Sequence, residues 1–180
     1  MEPLEANNFY HIFNRANGSE VLFKEKKNYY FFLEKYRQHI TPIADTLAYC
    51  LMPNHFHFLV YLKEGAPENS FSKSFSNLFS AYTQSYNKIY NRKGSLFQKN
   101  FKRKLTDSKL YLIKLINYIH FNPVHHYFAD QPDQWIFSSF NAILKQQNTA
   151  VNYQQVIELF DDFDNFRYMH QHSMDFSFDY

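Results

Sequence analysis

The run Leu51-Met52-Pro53-Asn54-His55-Phe56-His57-Phe58-Leu59-Val60 constrains this chain more than any other stretch. It is apolar and strand-like on both sides of Pro53-Asn54, a turn pair. It therefore predicts a hairpin between strands at 43–51 and 55–62, and strands joined by a hairpin exclude an all-parallel sheet. Side chains alternate faces along a strand, so His55 and His57 leave one face roughly 7 Å apart while Phe56 and Phe58 leave the other. Two imidazoles at that reach, opening a strand at a sheet end, suit one shared metal ion. A lone His-x-His is more often a plain half-buried polar stripe, so the rest of the chain has to supply a third ligand, a nucleophile and a substrate surface.

Around that hairpin the pattern alternates strands and helices. Residues 8–14 alternate as a first strand, with Phe9, His11 and Phe13 against Tyr10 and Ile12, and end at the Asn17-Gly18 turn signal. Tyr29, Tyr30, Phe32, Leu33 and Tyr36 give 26–39 a helical period, stopped by Thr41-Pro42. After a polar connection at 63–69, Phe71, Phe75, Leu78, Phe79, Tyr82, Tyr86 and Ile89 mark a second helix over 70–90. Short strands at 95–98 and 101–105 follow. A third helix, capped by Thr106 or Asp107, runs to about Phe121 and stops near Asn122-Pro123. Modest helices are expected at 138–146 and 153–160, with an irregular terminal segment. This order predicts an α+β fold, a ferredoxin-like antiparallel sheet with helices packed mainly on one face. Residues 1–150 read as the main domain and 151–180 as a C-terminal helix and tail, in the same domain or appended to it.

At 180 residues the chain fits a single core. It has no apolar run of about 18 residues, so no membrane partner is expected, and its acidic start is the reverse of a secretory signal. With one cysteine, Cys50, it has neither an internal disulfide nor a zinc-finger framework. A cytoplasmic protein is the expectation. The net charge of +2 hides a segregation. Nine basic residues lie between Lys88 and Lys114 with Asp107 as the only acid, whereas Arg167 alone faces six acids from Glu158 onward. The middle of the chain suits an anion, and Arg15, Lys99, Lys102, Arg103 and Lys104 are the candidate phosphate contacts. Aromatics at 21% mildly favour a surface on which bases stack. The acidic, aromatic tail from Asp161 to Tyr180 could imitate a single strand and occupy such a groove.

The third helix carries Tyr118-Ile119-His120-Phe121-Asn122-Pro123-Val124. Residues four apart share a helical face, so Tyr118 and Asn122 point together while His120 points elsewhere. Neutral imidazoles and an amide oxygen, completed by phosphate oxygens and water, suit Mg²⁺ or Mn²⁺. His170 and His172 repeat the His-x-His spacing without strand character and are not assigned to the metal. His125 and His126 are adjacent, point apart and are not assigned either.

Five stretches occur in an order that resembles the HUH single-tyrosine transposases of insertion sequences, most closely the REP-associated tyrosine transposases. They are Phe9 to Arg15, Leu51 to His57, Gly94 to Gln98, Tyr118 to Val124 and Trp135 to Phe140. The resemblance implies that His55 and His57 are metal ligands, Asn122 is the third protein ligand and Tyr118 is the nucleophile. It implies a divalent-metal enzyme that cuts single-stranded or hairpin DNA, leaves a 5′-phosphotyrosine and a free 3′-hydroxyl, and rejoins ends by the reverse step, as a monomer or homodimer. His125-His126-Tyr127 departs from the basic-then-glycine sequence common after Asn-Pro-Val, and the acidic tail has no placed counterpart. The alternatives are a non-catalytic single-strand or hairpin-binding protein on the same fold, and a metal-dependent phosphodiesterase using activated water.

Overall fold

The computed structural model describes residues 3–65, 70–147 and 149–175. Part of the expected 63–69 connection, the first two residues of the acidic start, and Phe176, Phe178 and Tyr180 of the tail lie outside the described residues.

Four strands, β1 (Phe9–Arg15), β2 (Ala44–Met52), β3 (His55–Leu62) and β4 (Lys102–Thr106), form one sheet in the order β2-β3-β1-β4. Every neighbouring pair is antiparallel. Helix α1 (Lys26–His39) joins β1 to β2, and α2 (Ser70–Ile89) joins β3 to β4. The ferredoxin-like α+β plan is as expected. Its helices cover both faces of the sheet rather than mainly one. Phe56, Phe58 and Val60 of β3 pack with Phe32 and Tyr36 of α1 and with Phe75, Leu78 and Tyr82 of α2. Leu59 points the other way, into a second core with α3 (Lys109–His125) and the short helices α4 (Phe140–Leu144), α5 (Tyr153–Leu159) and α6 (Phe163–Met169).

Three other expectations change. The segment at 95–98 is a loop held to the end of β1 by Gln98 N–H to Arg15 O and Asn17 N–H to Leu96 O, with a single bridge from Ala16 to Phe97. Helix α3 starts after Ser108 and runs through Pro123 to His125. Pro123 removes one N–H from the ladder, but the turn still closes through His126 N–H to Asn122 O at 3.1 Å, and Asn122 and Pro123 themselves are buried. The tail is not irregular throughout. Residues 163–169 form α6, with Asp162 Oδ1 accepting from Asn165 N–H as an N-cap, and Phe166 is fully buried. Val151, Val156, Phe160 and Phe166 all belong to the second core, so the described part of the tail packs against the domain instead of extending as a strand mimic.

Helix α3 is buried nearly all round, between the sheet and the C-terminal helices, so its polar side chains need internal partners. Asn117 donates to Met169 O and His172 O and accepts from Met174 N–H. His120 joins a relay whose proton positions follow from its ends. His170 Nδ1–H donates to Phe166 O, so His170 Nε2 accepts from His120 Nδ1–H, and His120 Nε2 accepts from Ser139 Oγ–H. Ser139 Oγ in turn accepts from Tyr49 N–H at the edge of β2. Both imidazoles are therefore neutral, and burial lowers the His170 pKa to about 4.

A histidine neutral inside and charged outside binds fewer protons when folded. Its stability contribution is complete above the unfolded value near 6.5 and is lost as pH falls toward about 4. Urea unfolding across that window should show stability falling with acid. His170→Gln should make the decline shallower, by up to about 1.4 kcal/mol per pH unit.

Candidate metal and nucleic-acid site

The turn before β3 is tied down by backbone bonds. Pro53 O accepts from Leu22 N–H and Phe23 N–H, and Asn54 O accepts from Ala16 N–H at 2.8 Å. His55 and His57 follow at once on the α3 face of the sheet, their rings 5.3 Å apart and nearly perpendicular. They open onto a cleft of about 480 Å³ lined also by Phe13, Arg15, Lys102, His126 and Phe128, with Asn14, Asn54 and Gln98 among its amides. No acid lines this cleft among the described residues.

The structure brings the four expected site residues together. His55 Nε2 lies 2.8 Å from Asn122 Oδ1 on α3, and the Tyr118 and His57 rings meet nearly perpendicular with centroids 5.6 Å apart. Tyr118 is only 7% exposed and sits behind His57, packed also against His125.

His55 shows what the arrangement can hold. Burial is the main cause that lowers its pKa to about 4, so at neutral pH it carries a single N–H. Both ring nitrogens nevertheless face amide oxygens at 2.8 Å, Nδ1 facing Asn54 and Nε2 facing Asn122. With the proton on Nδ1 and donated to Asn54, the Nε2 lone pair converges on the Asn122 oxygen. That separation matches adjacent ligands on an octahedral ion with bonds of about 2.0–2.1 Å, which stand about 2.9 Å apart. The donor set therefore fits a divalent cation. Asn122 Nδ2 is buried without a hydrogen-bond partner among the described residues. Turned over, the same amide would donate from Nδ2 to His55, so it serves the site with or without an ion.

His57 Nδ1 lies 2.9 Å from His11 Nε2. Burial lowers the His11 pKa to about 3 and that of His57 well below its usual value, so both rings are neutral. With Nδ1–H donating to His11, the His57 lone pair lies on Nε2. His11 is the site residue that the motifs do not reveal. Its signal is alternation on β1, which places it with Phe9 and Phe13, and the register pairing Phe13 with His57 sets His11 diagonal to that ring. Among the described residues no cluster of three or more His, Cys, Asp or Glu side chains is arranged for a metal, and any ion here relies on the Asn122 oxygen.

The basic candidates divide. Arg15 and Lys102 line the cleft. Arg103 takes the opposite face of β4 and donates to Ser72 Oγ in a second groove along α2. Lys104 Nζ lies 5.1 Å over the Tyr111 ring, and Lys99 is exposed on the loop before β4. His126, not assigned to the metal, lines the cleft with its ring 4.9 Å from that of His55, while His125 Nε2 bonds Ser173 Oγ. His170 belongs to the relay behind α3. No helix among the described residues is long and apolar enough to cross a membrane.

No family model and no curated protein matches the chain. A solved structure of a REP-associated tyrosine transposase bound to a REP hairpin is similar to it, with a TM-score of 0.67 over 81% of this chain and 84% of that one at 17% identity. At that identity the likeness is one of fold, and it agrees with the resemblance carried by the motifs: the chain has the antiparallel α+β fold of a REP-associated tyrosine transposase.

Proposed function

We propose that the protein is a metal-dependent enzyme that nicks and rejoins single-stranded DNA at or beside hairpins, with Tyr118 as nucleophile. The observation that carries this reading is that His55 and His57 line a cleft without an acid among the described residues, and that Asn122 packs against His55 and Tyr118 against His57 directly behind it. A phosphodiester is the anion such a cleft suits, and the solved neighbour is bound to a REP hairpin.

His55 Nε2, His57 Nε2 and Asn122 Oδ1 would hold Mg²⁺ or Mn²⁺. The bound ion would polarise the phosphate and stabilise charge as the phosphorus is attacked. Arg15 and Lys102 draw the backbone in. Tyr118 Oη forms the new bond to phosphorus while the bond to the 3′ oxygen breaks. The tyrosyl proton ends on that departing oxygen, leaving a 5′-phosphotyrosine and a 3′-hydroxyl. The phosphodiester is conserved, so the reverse attack rejoins the strand. His11 acts through His57 by fixing its tautomer and ring angle, as outer hydrogen bonds do for metal-bound histidines.

The burial of Tyr118 behind His57 favours a second reading, a hairpin-binding protein that does not cut. Incubation with labelled hairpin DNA and Mn²⁺, followed by denaturing electrophoresis, separates the two. A 5′-linked covalent band is expected, absent in Tyr118→Phe and His55→Ala, with DNA binding retained in Tyr118→Phe. Binding without any band favours the second reading, and cleavage without a band points to activated water.

His11→Ala is expected to weaken Mn²⁺ binding, followed by calorimetry, by about 10-fold or more. Far-UV circular dichroism should show the fold intact. Mn²⁺ affinity equal to that of the wild type would remove His11 from the site.

A further inference from the structure

Tyr127 stands where a tyrosine is hard to explain. Its φ of 59° lies in the left-handed region, and it follows the cap of α3. Phe128 N–H to Pro123 O at 2.8 Å and Tyr127 N–H to Val124 O at 3.1 Å are the pair of bonds that close a helix through a left-handed residue. Glycine takes that conformation freely, whereas a side chain crowds its Cβ against the following carbonyl. Packing does not compensate, because Tyr127 is 96% exposed.

Its two chain neighbours are both walls of the cleft. His126 stands over His55. Phe128, 52% exposed, meets Trp135 edge to face at 5.7 Å, and Trp135 is pinned by its Nε1–H to Leu51 O. The Phe128 ring is thus held at the cleft wall, beside Arg15 and Lys102. Exposed rings next to a cationic groove are how unpaired nucleic acid is held, because every base has a face to stack.

We propose that Tyr127 and Phe128 form an aromatic lip on which unpaired nucleobases flanking the phosphate in the cleft stack. The proposal rests on the reading of the cleft as a single-stranded DNA site and adds what selects the strand there. Stacking is indifferent to base identity but requires an unpaired base, so the lip favours single strand over duplex. The left-handed turn at Tyr127 swings the chain back after α3 and leaves Tyr127 exposed between two residues of the cleft lining, His126 and Phe128.

The test measures binding of a dye-labelled DNA hairpin with a single-stranded 5′ tail carrying 2-aminopurine, using wild type, Tyr127→Gly and Phe128→Leu. Tyr127→Gly keeps the turn and relieves its strain, so its melting temperature should be no lower than that of the wild type, whereas a structural role would lower it. Its affinity for the tailed hairpin should fall about tenfold, with loss of the 2-aminopurine quenching and no change toward blunt duplex. Phe128→Leu, which keeps apolar contact with Trp135, should lose affinity in the same sense. Wild-type affinity and quenching in Tyr127→Gly would overturn the lip alone. A wild type that binds no tailed hairpin would overturn the reading of the cleft, and the lip with it.

Discussion

Because α3 is buried on nearly every side, each polar side chain on it must be answered from within the protein. An unpaired buried amide or imidazole costs on the order of 1–3 kcal/mol, and α3 carries Asn117, His120 and Asn122 in little more than one turn. Their partners lie in different directions. Asn117 binds the last residue of α6 and the chain after it, His120 binds the α6 cap residue His170 and the β2 edge through Ser139, and Asn122 binds His55. One helix thereby fixes the position of the C-terminal helices, of the sheet and of the candidate ligand. The C-terminal segment matters to the site although none of its described residues is a candidate ligand, since it covers the outer side of the helix that carries Tyr118 and Asn122.

The candidate ligands are held by the protein itself. His55 and His57 sit on a central strand, paired with β1 on one side and β2 on the other. Asn54, which orients the His55 ring, is part of a turn tied by three backbone bonds. His11 orients His57 from the next strand. Rigid elements thus aim the donor atoms, which is what precise positioning of a reacting phosphate requires. The relation of Tyr118 to His57 depends on how α3 packs across the sheet, so the proposed nucleophile and the proposed metal ligands share one structural reference.

The hairpin, helices α1 and α2, and the shared face of His55 and His57 were legible because local period and turn residues carry them: β3 and α1 fall at the expected bounds. The end of α3 was not legible. Pro123 is a strong local stop signal, and what overrides it is tertiary burial together with closure by Tyr127 and Phe128. His11 was visible as a strand residue but not as a site residue, because its role needs the register between β1 and β3. Aromatic content misled in part. Most of those rings fill the two cores, and Tyr82 and Tyr86 spend their hydroxyls on the Leu22 and Val21 carbonyls. Composition counts rings, whereas only position tells a core tyrosine from an exposed one. The acidic tail misled for the same reason, since Phe166 is core and Asp162 is a helix cap.

Burial decides which groups at the cleft carry charge. Desolvation holds His11, His55 and His57 neutral, so the imidazoles arrive as lone-pair donors and not as competing positive charges. A carboxylate ligand would bring negative charge into the wall and oppose a phosphate. Asn122 offers an oxygen of the same reach without that charge. With Arg15 and Lys102 as the cations on its lining and no acid beside them, the cleft carries a positive potential into a half-buried space, where weak solvent screening lets a few charges act strongly. On the proposed reading, an amide in place of a carboxylate as third donor reconciles a metal-suited geometry with a phosphate substrate.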